Sequence, residues 1–212
     1  LKRTIIWDWN GTLLNDRAIC LKGINILLGK RNLPLLTDER YLEIFTFPIR
    51  EYYSAAGFDF VNEPFEVPAA EFMDHYTAML GEAKLFQDTI TALAHFKYRG
   101  FRQFILSAME QKMLYESINS YNLEEYFEGV YGIADILAHS KLDRGREMVQ
   151  MCGIDTTTAL FVGDTLHDIE VAEQLGASPV LIGRGHQSLQ RLMVNGNTVM
   201  PDFAALMNLV TS

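Results

Sequence analysis

The sequence has little cysteine, little proline and too little positive charge to hold a polyanion. Two cysteines among 212 residues, Cys20 and Cys152, lie far apart within helix-like segments. That excludes a disulfide framework and points to buried free thiols in a reducing compartment. Eighteen Lys and Arg against 27 Asp and Glu leave a formal net charge of −9, so nothing offsets phosphate repulsion from a nucleic acid or an anionic membrane. A few cations gathered in one cleft would still serve a small phosphorylated ligand. No apolar run reaches the length of a membrane span, and the N-terminal segment reads as a strand rather than a signal peptide. The expectation is a cytoplasmic protein. There is no internal repeat and no low-complexity tract. What is there, 49% hydrophobic and 21% charged residues, is the composition of a soluble globular chain. Its length suits one large domain, or a core with a smaller domain inserted.

The pattern divides the chain. Thr4-Ile5-Ile6-Trp7 is a β-branched and aromatic strand that ends on a carboxylate, Asp8, and then turns on Asn10-Gly11. A helix is predicted from about Asp16 to Lys30, ending before Pro34. A second helical stretch has Thr37 or Asp38 as N-cap, a break at Pro48 and an end near Gly57. A third runs from about Pro68 to Gly81. From about residue 84 helices and strands alternate. Asp88 reads as an N-cap, with Lys97 and Arg99 in the last turn and Gly100 beyond it. "FRQFIL" is a strand ending at Ser107, with helix predicted from Met109. "EGVYGI" and "TALFVGD" are strands, the latter ending on Asp164. "KLDRGREMVQMCG" and "HDIEVAEQLG" are helices. "SPVLIG" is a strand, "HQSLQRLM" a helix, and "NTVM" precedes a helix with Pro201 in its first turn. Such alternation implies a parallel sheet covered on both faces.

The fold class is therefore α/β, a Rossmann-like parallel sheet core with a small all-helical module inserted after the first strand. The boundaries read as 1–15 plus 84–212 for the core and 16–83 for the insert, with hinges near Leu14–Asp16 and Gly81–Lys84. In open parallel sheets ligands bind beyond the carboxyl ends of the strands. Asp8, Ser107 and Asp164 all fall at that edge, and Lys141 lies beside it at the start of a helix. Singly, each has an ordinary explanation: a turn former, a cap, a solvated lysine, or, for Asp164, a cap on the helix that follows. Their joint placement at one edge of one sheet does not.

"IIWDWNGTL", "FILSAM", "HSKLDRG" and "FVGDTLHD" resemble, in order and spacing, the four motifs of the haloacid dehalogenase-like hydrolase superfamily. The resemblance is greatest to its phosphoglycolate phosphatase-like group, whose helical cap is inserted at the same point, and it covers nearly the whole chain. It implies a Mg²⁺-dependent phosphatase of a small phosphorylated metabolite, a monomer or homodimer. Asp8 would be the nucleophile that forms an aspartyl-phosphate. Mg²⁺ would be held by Asp8, the backbone carbonyl of Asn10, Asp164 and Asp168. Thr12, Ser107 and the amide of Ala108 would hold phosphate oxygens, and Lys141 would offset the charge on Asp8 and the phosphoryl group.

Asn10 departs from that pattern. The family's phosphatases carry a second Asp there, which protonates the leaving oxygen and then activates water; an amide does neither. A positioned acid or base contributes about 10²–10⁴ in rate. Three readings stay open. One is a phosphohydrolase that is slow or that takes an acyl phosphate or anhydride, with His75, Arg50 or Tyr52 as stand-in groups. On it, Asn10→Asp should raise phosphomonoester turnover at least about a hundredfold. Another is C–P bond cleavage like that of phosphonoacetaldehyde hydrolases, whose "DWAGT" loop also lacks the acid; Lys22 or Lys30 would be the Schiff-base lysine. The last is a phosphometabolite-binding pseudophosphatase. Phe45, Phe47, Tyr52 and Tyr53 read as packing of the insert, Arg50 as a clamp for a substrate carboxylate, and His186 as a helix-start residue near Arg184.

Overall fold

The computed structural model describes residues 4–133 and 141–211; His139 and Ser140 of the third motif lie outside them. The elements, in chain order, are β1 (Thr4–Trp7), β2 (Leu14–Asn15), α1 (Arg17–Lys30), α2 (Asp38–Ile44), α3 (Ile49–Ala56), α4 (Glu66–Met79), β3 (Lys84–Leu85), α5 (Thr89–Tyr98), β4 (Arg102–Glu110), α6 (Gln111–Ser120), β5 (Gly129–Ile133), α7 (Lys141–Cys152), β6 (Ala159–Gly163), α8 (Leu166–Leu175), β7 (Ser178–Ile182), α9 (Leu189–Leu192), β8 (Val199–Met200) and α10 (Phe203–Thr211). Six strands form one sheet in the order β5-β4-β1-β6-β7-β8, every neighbouring pair parallel.

β1 is buried throughout, as an apolar run in a central parallel strand requires. Alternate residues serve opposite faces: Ile5 and Trp7 join one core cluster, Ile6 the other. Buried indole nitrogens are satisfied, Trp7 donating to Gln103 Oε1 at 3.0 Å and Trp9 to Ser117 Oγ at 3.2 Å. The chain runs one way across the sheet from β1 to β4 and β5, then the other way through β6, β7 and β8. That puts a topological switch point between β1 and β6.

Helices α1 to α4 lie between β2 and β3, which pair antiparallel through Leu14–Leu85 and Asn15–Lys84. This two-stranded ribbon, absent from the sequence pattern because each strand is only two residues long, ties the start of the helical segment to its end. Within the segment α1 packs on α4, and Gly23 leaves room for the Phe72 ring.

Several local expectations are corrected. β4 continues through Met109 and Glu110 with a register shift against β5; Glu110 then caps α6 by accepting from the amides of Lys112 and Met113. Asp88 makes no side-chain cap; its carboxylate accepts from Arg184 and from the Phe203 amide. Pro201 precedes α10 rather than opening it, and Asp202 accepts from the Ala205 amide there. Helix α9 is one turn, capped by Ser188, so His186 does not begin a helix.

Candidate active site

The switch point places Asp8 and Asp164 side by side, each the first residue beyond a central strand. The Asp8 amide donates to the Val162 carbonyl at 2.8 Å, which continues the β1–β6 ladder and fixes the carboxylate's direction. The Thr12 hydroxyl lies 3.2 Å from Asp8 Oδ2 and 3.1 Å from Asp164 Oδ1. Lys141, the first residue of α7, bridges two acids: its Nζ is 2.5 Å from Asp8 Oδ1 and 2.6 Å from Asp168 Oδ1. All five side chains are buried. Thr165, not Asp164, is the N-cap of α8, and Asp168 completes the capping box with its second oxygen, which accepts from the Thr165 amide at 2.9 Å and hydroxyl at 2.7 Å. Helix capping thereby aims the other oxygen of Asp168 at Lys141.

Two of the three carboxylates share one ammonium, and the titration of all three reflects the surplus of negative charge. Burial pushes Asp8 up to about 6, against the pull of Lys141. Burial, with Asp8 and Asp168 nearby, pushes Asp164 up to about 8, although His186 opposes it. Asp168 is held low: burial would raise it, but Lys141 and the Thr165 donors prevail. Carboxylate oxygens of Asp8, Asp164 and Asp168 lie within 4.8 Å of one another, a hard-oxygen set that suits a divalent cation. The loops crowd around this set. Gly11 has φ +75°, and a Cβ on it would stand 2.3 Å from Asp164 Oδ2; one on Gly185 would stand 2.1 Å from the same oxygen. Gly11→Ala is expected to cost roughly 1–3 kcal/mol of stability from overpacking and backbone strain together, measured by denaturant unfolding.

Beside this cluster lies a second buried network that the sequence pattern does not reveal. Asp16, 1% exposed, is the residue before α1 but makes no side-chain cap. Its Oδ1 accepts from the Gly11 amide at 3.0 Å and faces His186 Nε2 at 3.1 Å. Its Oδ2 accepts from Asn10 Nδ2 at 2.8 Å, from the Tyr76 hydroxyl at 2.9 Å and from the Cys20 thiol at 3.5 Å. His186 in turn meets the Tyr41 hydroxyl through Nδ1 at 2.8 Å, and its amide donates to Asp164 Oδ2 at 2.6 Å. Burial alone would lower the His186 pKa, yet Asp16, with Asp164 and Asp8, raises it to about 9. Asp16 is correspondingly held below the ordinary carboxylate value by His186, Asn10 and Tyr76, although burial opposes them.

The helical segment closes on the sheet edge around His186. Phe45 stacks on its ring at 4.8 Å, and Phe47 stacks on His167 at 4.8 Å. Gln187 and Arg191 both donate to the Phe45 carbonyl, at 2.9 and 2.7 Å. Phe45 and Phe47, read from the sequence as packing of the insert, therefore form its junction with the sheet edge. Tyr53 does pack internally, against Phe58, Phe65 and Phe72.

Against this geometry a family can be assigned. Residues 5–182 match the model of the haloacid dehalogenase-like hydrolases, a span that includes both acidic strand ends and Lys141. The chain belongs to that family. It is similar to the phosphoglycolate phosphatase of Caulobacter vibrioides, 26% identical over 191 residues that cover 86% of this chain and 80% of that one. It is 28% identical to the phosphoglycolate phosphatase of Mesorhizobium japonicum, over 95% of this chain and 92% of that one. Its fold is that of a haloacid dehalogenase-like hydrolase from Streptococcus pneumoniae, with a TM-score of 0.84 at 17% identity and 98% of each chain covered.

Of the other residues singled out in the sequence, Ser107 is buried at the edge, 3.4 Å from Asn10 Oδ1, and its Oγ accepts from the Met109 amide; Ala108 is exposed next to it. The stand-ins do not reach the acids. His75 meets Lys30 at 3.2 Å, Arg50 lies over the Phe60 ring at 5.2 Å, and Tyr52 is buried against Tyr41 and Phe45. Lys22 pairs with Glu82 at 3.4 Å and Lys30 with Glu71 at 3.8 Å, both on the outside of the helical segment. Both ammonium groups are solvent-exposed, not in the buried, apolar setting of a Schiff-base lysine.

Proposed function

We propose that this chain hydrolyses a small phosphorylated metabolite with Mg²⁺, through an aspartyl-phosphate on Asp8. The observation that carries the reading is the shared grip on Asp8: Thr12 on one oxygen, Lys141 on the other, and Asp164 within reach of the same hydroxyl. Asp8, Asp164, Asp168 and the Asn10 carbonyl would hold the ion, which would neutralise phosphate charge as it meets the carboxylate. Asp8 attacks phosphorus in line, a phosphorus–oxygen bond to the leaving group breaks, and water then cleaves the acyl phosphate. Lys141 offsets the charge of Asp8 and the transferring group, while Thr12, Ser107 and the Ala108 amide take phosphate oxygens. Asn10 supplies no proton, so substrates with good leaving groups, acyl phosphates or anhydrides, suit the site best.

Residues 16–83 would act as a cap on the core formed by 1–15 and 84–212. The reacting acids are buried, and the Phe45 junction sits on His186, whose amide donates to Asp164, so substrate entry would require that junction to open, with the β2–β3 ribbon as the hinge. Among the described residues no helix is long and apolar enough to cross a membrane, and Cys20 and Cys152 are free thiols, which suits a cytoplasmic setting.

Phosphate release from an acyl phosphate, an aryl phosphate, phosphoglycolate and phosphonoacetaldehyde tests the reading. Turnover with Mg²⁺, fastest on the acyl phosphate and lost on adding a chelator, is the expected result. Equal rates with and without chelator, or cleavage of phosphonoacetaldehyde alone, would overturn it.

A further inference from the structure

Asn10 looks, by sequence, like a lost acid. Its surroundings give it a different meaning. The Asn10 amide nitrogen is 2.8 Å from Asp16 Oδ2 and 2.8 Å from the Tyr76 hydroxyl, and Tyr76 itself donates to Asp16 at 2.9 Å. The amide oxygen faces the other way, toward Ser107. Asn10 therefore spans the gap between the phosphate end of the site and a buried carboxylate contributed by the start of α1. An amide suits both sides, whereas a carboxylate at position 10 would set a second negative charge at hydrogen-bond distance from Asp16.

We infer that Asn10 and Asp16 are a matched pair, in which Asp16 is a positioning residue that requires an amide at position 10 and fixes its direction. This rests on the phosphohydrolase reading of the site and goes beyond it. Asp16 also joins three parts of the site: the Asn10–Gly11 turn, Tyr76 on α4, and His186 in the loop after β7. Its two oxygens meet five polar partners, more than the about four lone-pair sites of a carboxylate.

A consequence separates this from simple loss. If position 10 had merely lost its acid, Asn10→Asp would restore fast phosphomonoester hydrolysis. With Asp16 opposite, the new carboxylate meets a second one at hydrogen-bond distance. Any proton it carries is then held toward Asp16 and away from the leaving oxygen. The exchange Asn10→Asp with Asp16→Asn removes the conflict, since the amide now lies on the α1 side and donates to the acid. Net charge is conserved. The acid at position 10 is then free to give its proton to the leaving oxygen as the phosphorus–oxygen bond breaks, and to take one back from the water that cleaves the acyl phosphate.

The test is a set of four proteins, the parent, Asn10→Asp, Asp16→Asn and the exchange, assayed with Mg²⁺ on phosphoglycolate and an acyl phosphate and unfolded thermally. On phosphoglycolate the exchange is expected to gain about 10²–10⁴ in kcat, and Asn10→Asp alone less than about tenfold. Acyl phosphate, whose leaving group needs no proton, should gain less from the exchange than phosphoglycolate does. Each single variant should lower the Tm, and the exchange should recover most of the loss, a coupling that independent sites do not show. Should a single variant fail to fold and the exchange fold, the pairing is supported. A full gain from Asn10→Asp alone, an exchange no faster than that variant, an exchange that does not fold, or additive Tm losses would each overturn it. If none of the four releases phosphate from either substrate, the phosphohydrolase reading falls instead, and the Tm cycle still decides the pairing.

Discussion

Asp8→Asn is expected to lower phosphate release by about four to six orders of magnitude, the scale set by removing a covalent nucleophile. The substitution is nearly isosteric, and an amide oxygen still accepts from Lys141 Nζ or Thr12 Oγ1, the two groups that grip Asp8. Structural loss is therefore small, and the effect reads chemistry. What would disappear, on the proposed mechanism, is the anionic oxygen that attacks phosphorus. Acid-quenched reactions with a labelled acyl phosphate should trap label on the parent protein and none on the variant. A variant that keeps more than about a hundredth of the rate would show that Asp8 is not the attacking group.

Lys141→Met is expected to cost both activity and stability. The ammonium bridges Asp8 and Asp168 with its side chain 5% exposed, and those two carboxylates are 9% and 3% exposed. Breaking a buried pair by removing one partner costs about 3–5 kcal/mol, because the partner's charge stays buried and unopposed. Loss of the ammonium from the transferring group adds roughly 10²–10³ in kcat. The pH dependence has a definite sign. Asp8 already titrates up at about 6 with Lys141 in place, and Asp168 is held low chiefly by Lys141 against its burial. Without the ammonium both folded-state values rise above the unfolded ones. Their protonated forms then favour the folded state below the unfolded pKa, and that support is lost as pH rises through the folded values. Lys141→Met should accordingly lose more stability at pH 8 than at pH 5 in urea unfolding without metal. Equal losses at the two pH values would mean that Lys141 does not govern these acids.

The acidic cluster belongs to the part of the protein whose chemistry is written locally. Asp8 follows a four-residue apolar strand, Asp164 follows another, and Asp168 sits at the third position of a helix, each recognisable from a few neighbours. The alternation of helix and strand from residue 84 likewise implies the parallel sheet, and helices 16–83 fall between the two short strands that bracket them. Elements of two residues, such as β2 and β3, carry too little periodicity to be seen. The strand character of Met109 and Glu110 comes from pairing with β5, which no local propensity encodes.

The Asp16 network lies at the other extreme. Asp16 and His186 are 170 residues apart, and the local sequence places each only at the start of a helix. Apolar periodicity and strand-end acids depend on covalent neighbours, so the sequence by itself determined the sheet, its carboxyl edge and the acids and lysine that gather there. Whether Asn10 is an absence or a fitted part depends on which carboxylate comes to lie 2.8 Å from its amide. Only the closing of α1 and α4 over the β1 turn decides that, since hydrogen bonds have a reach of about 3 Å and no memory of distance along the chain.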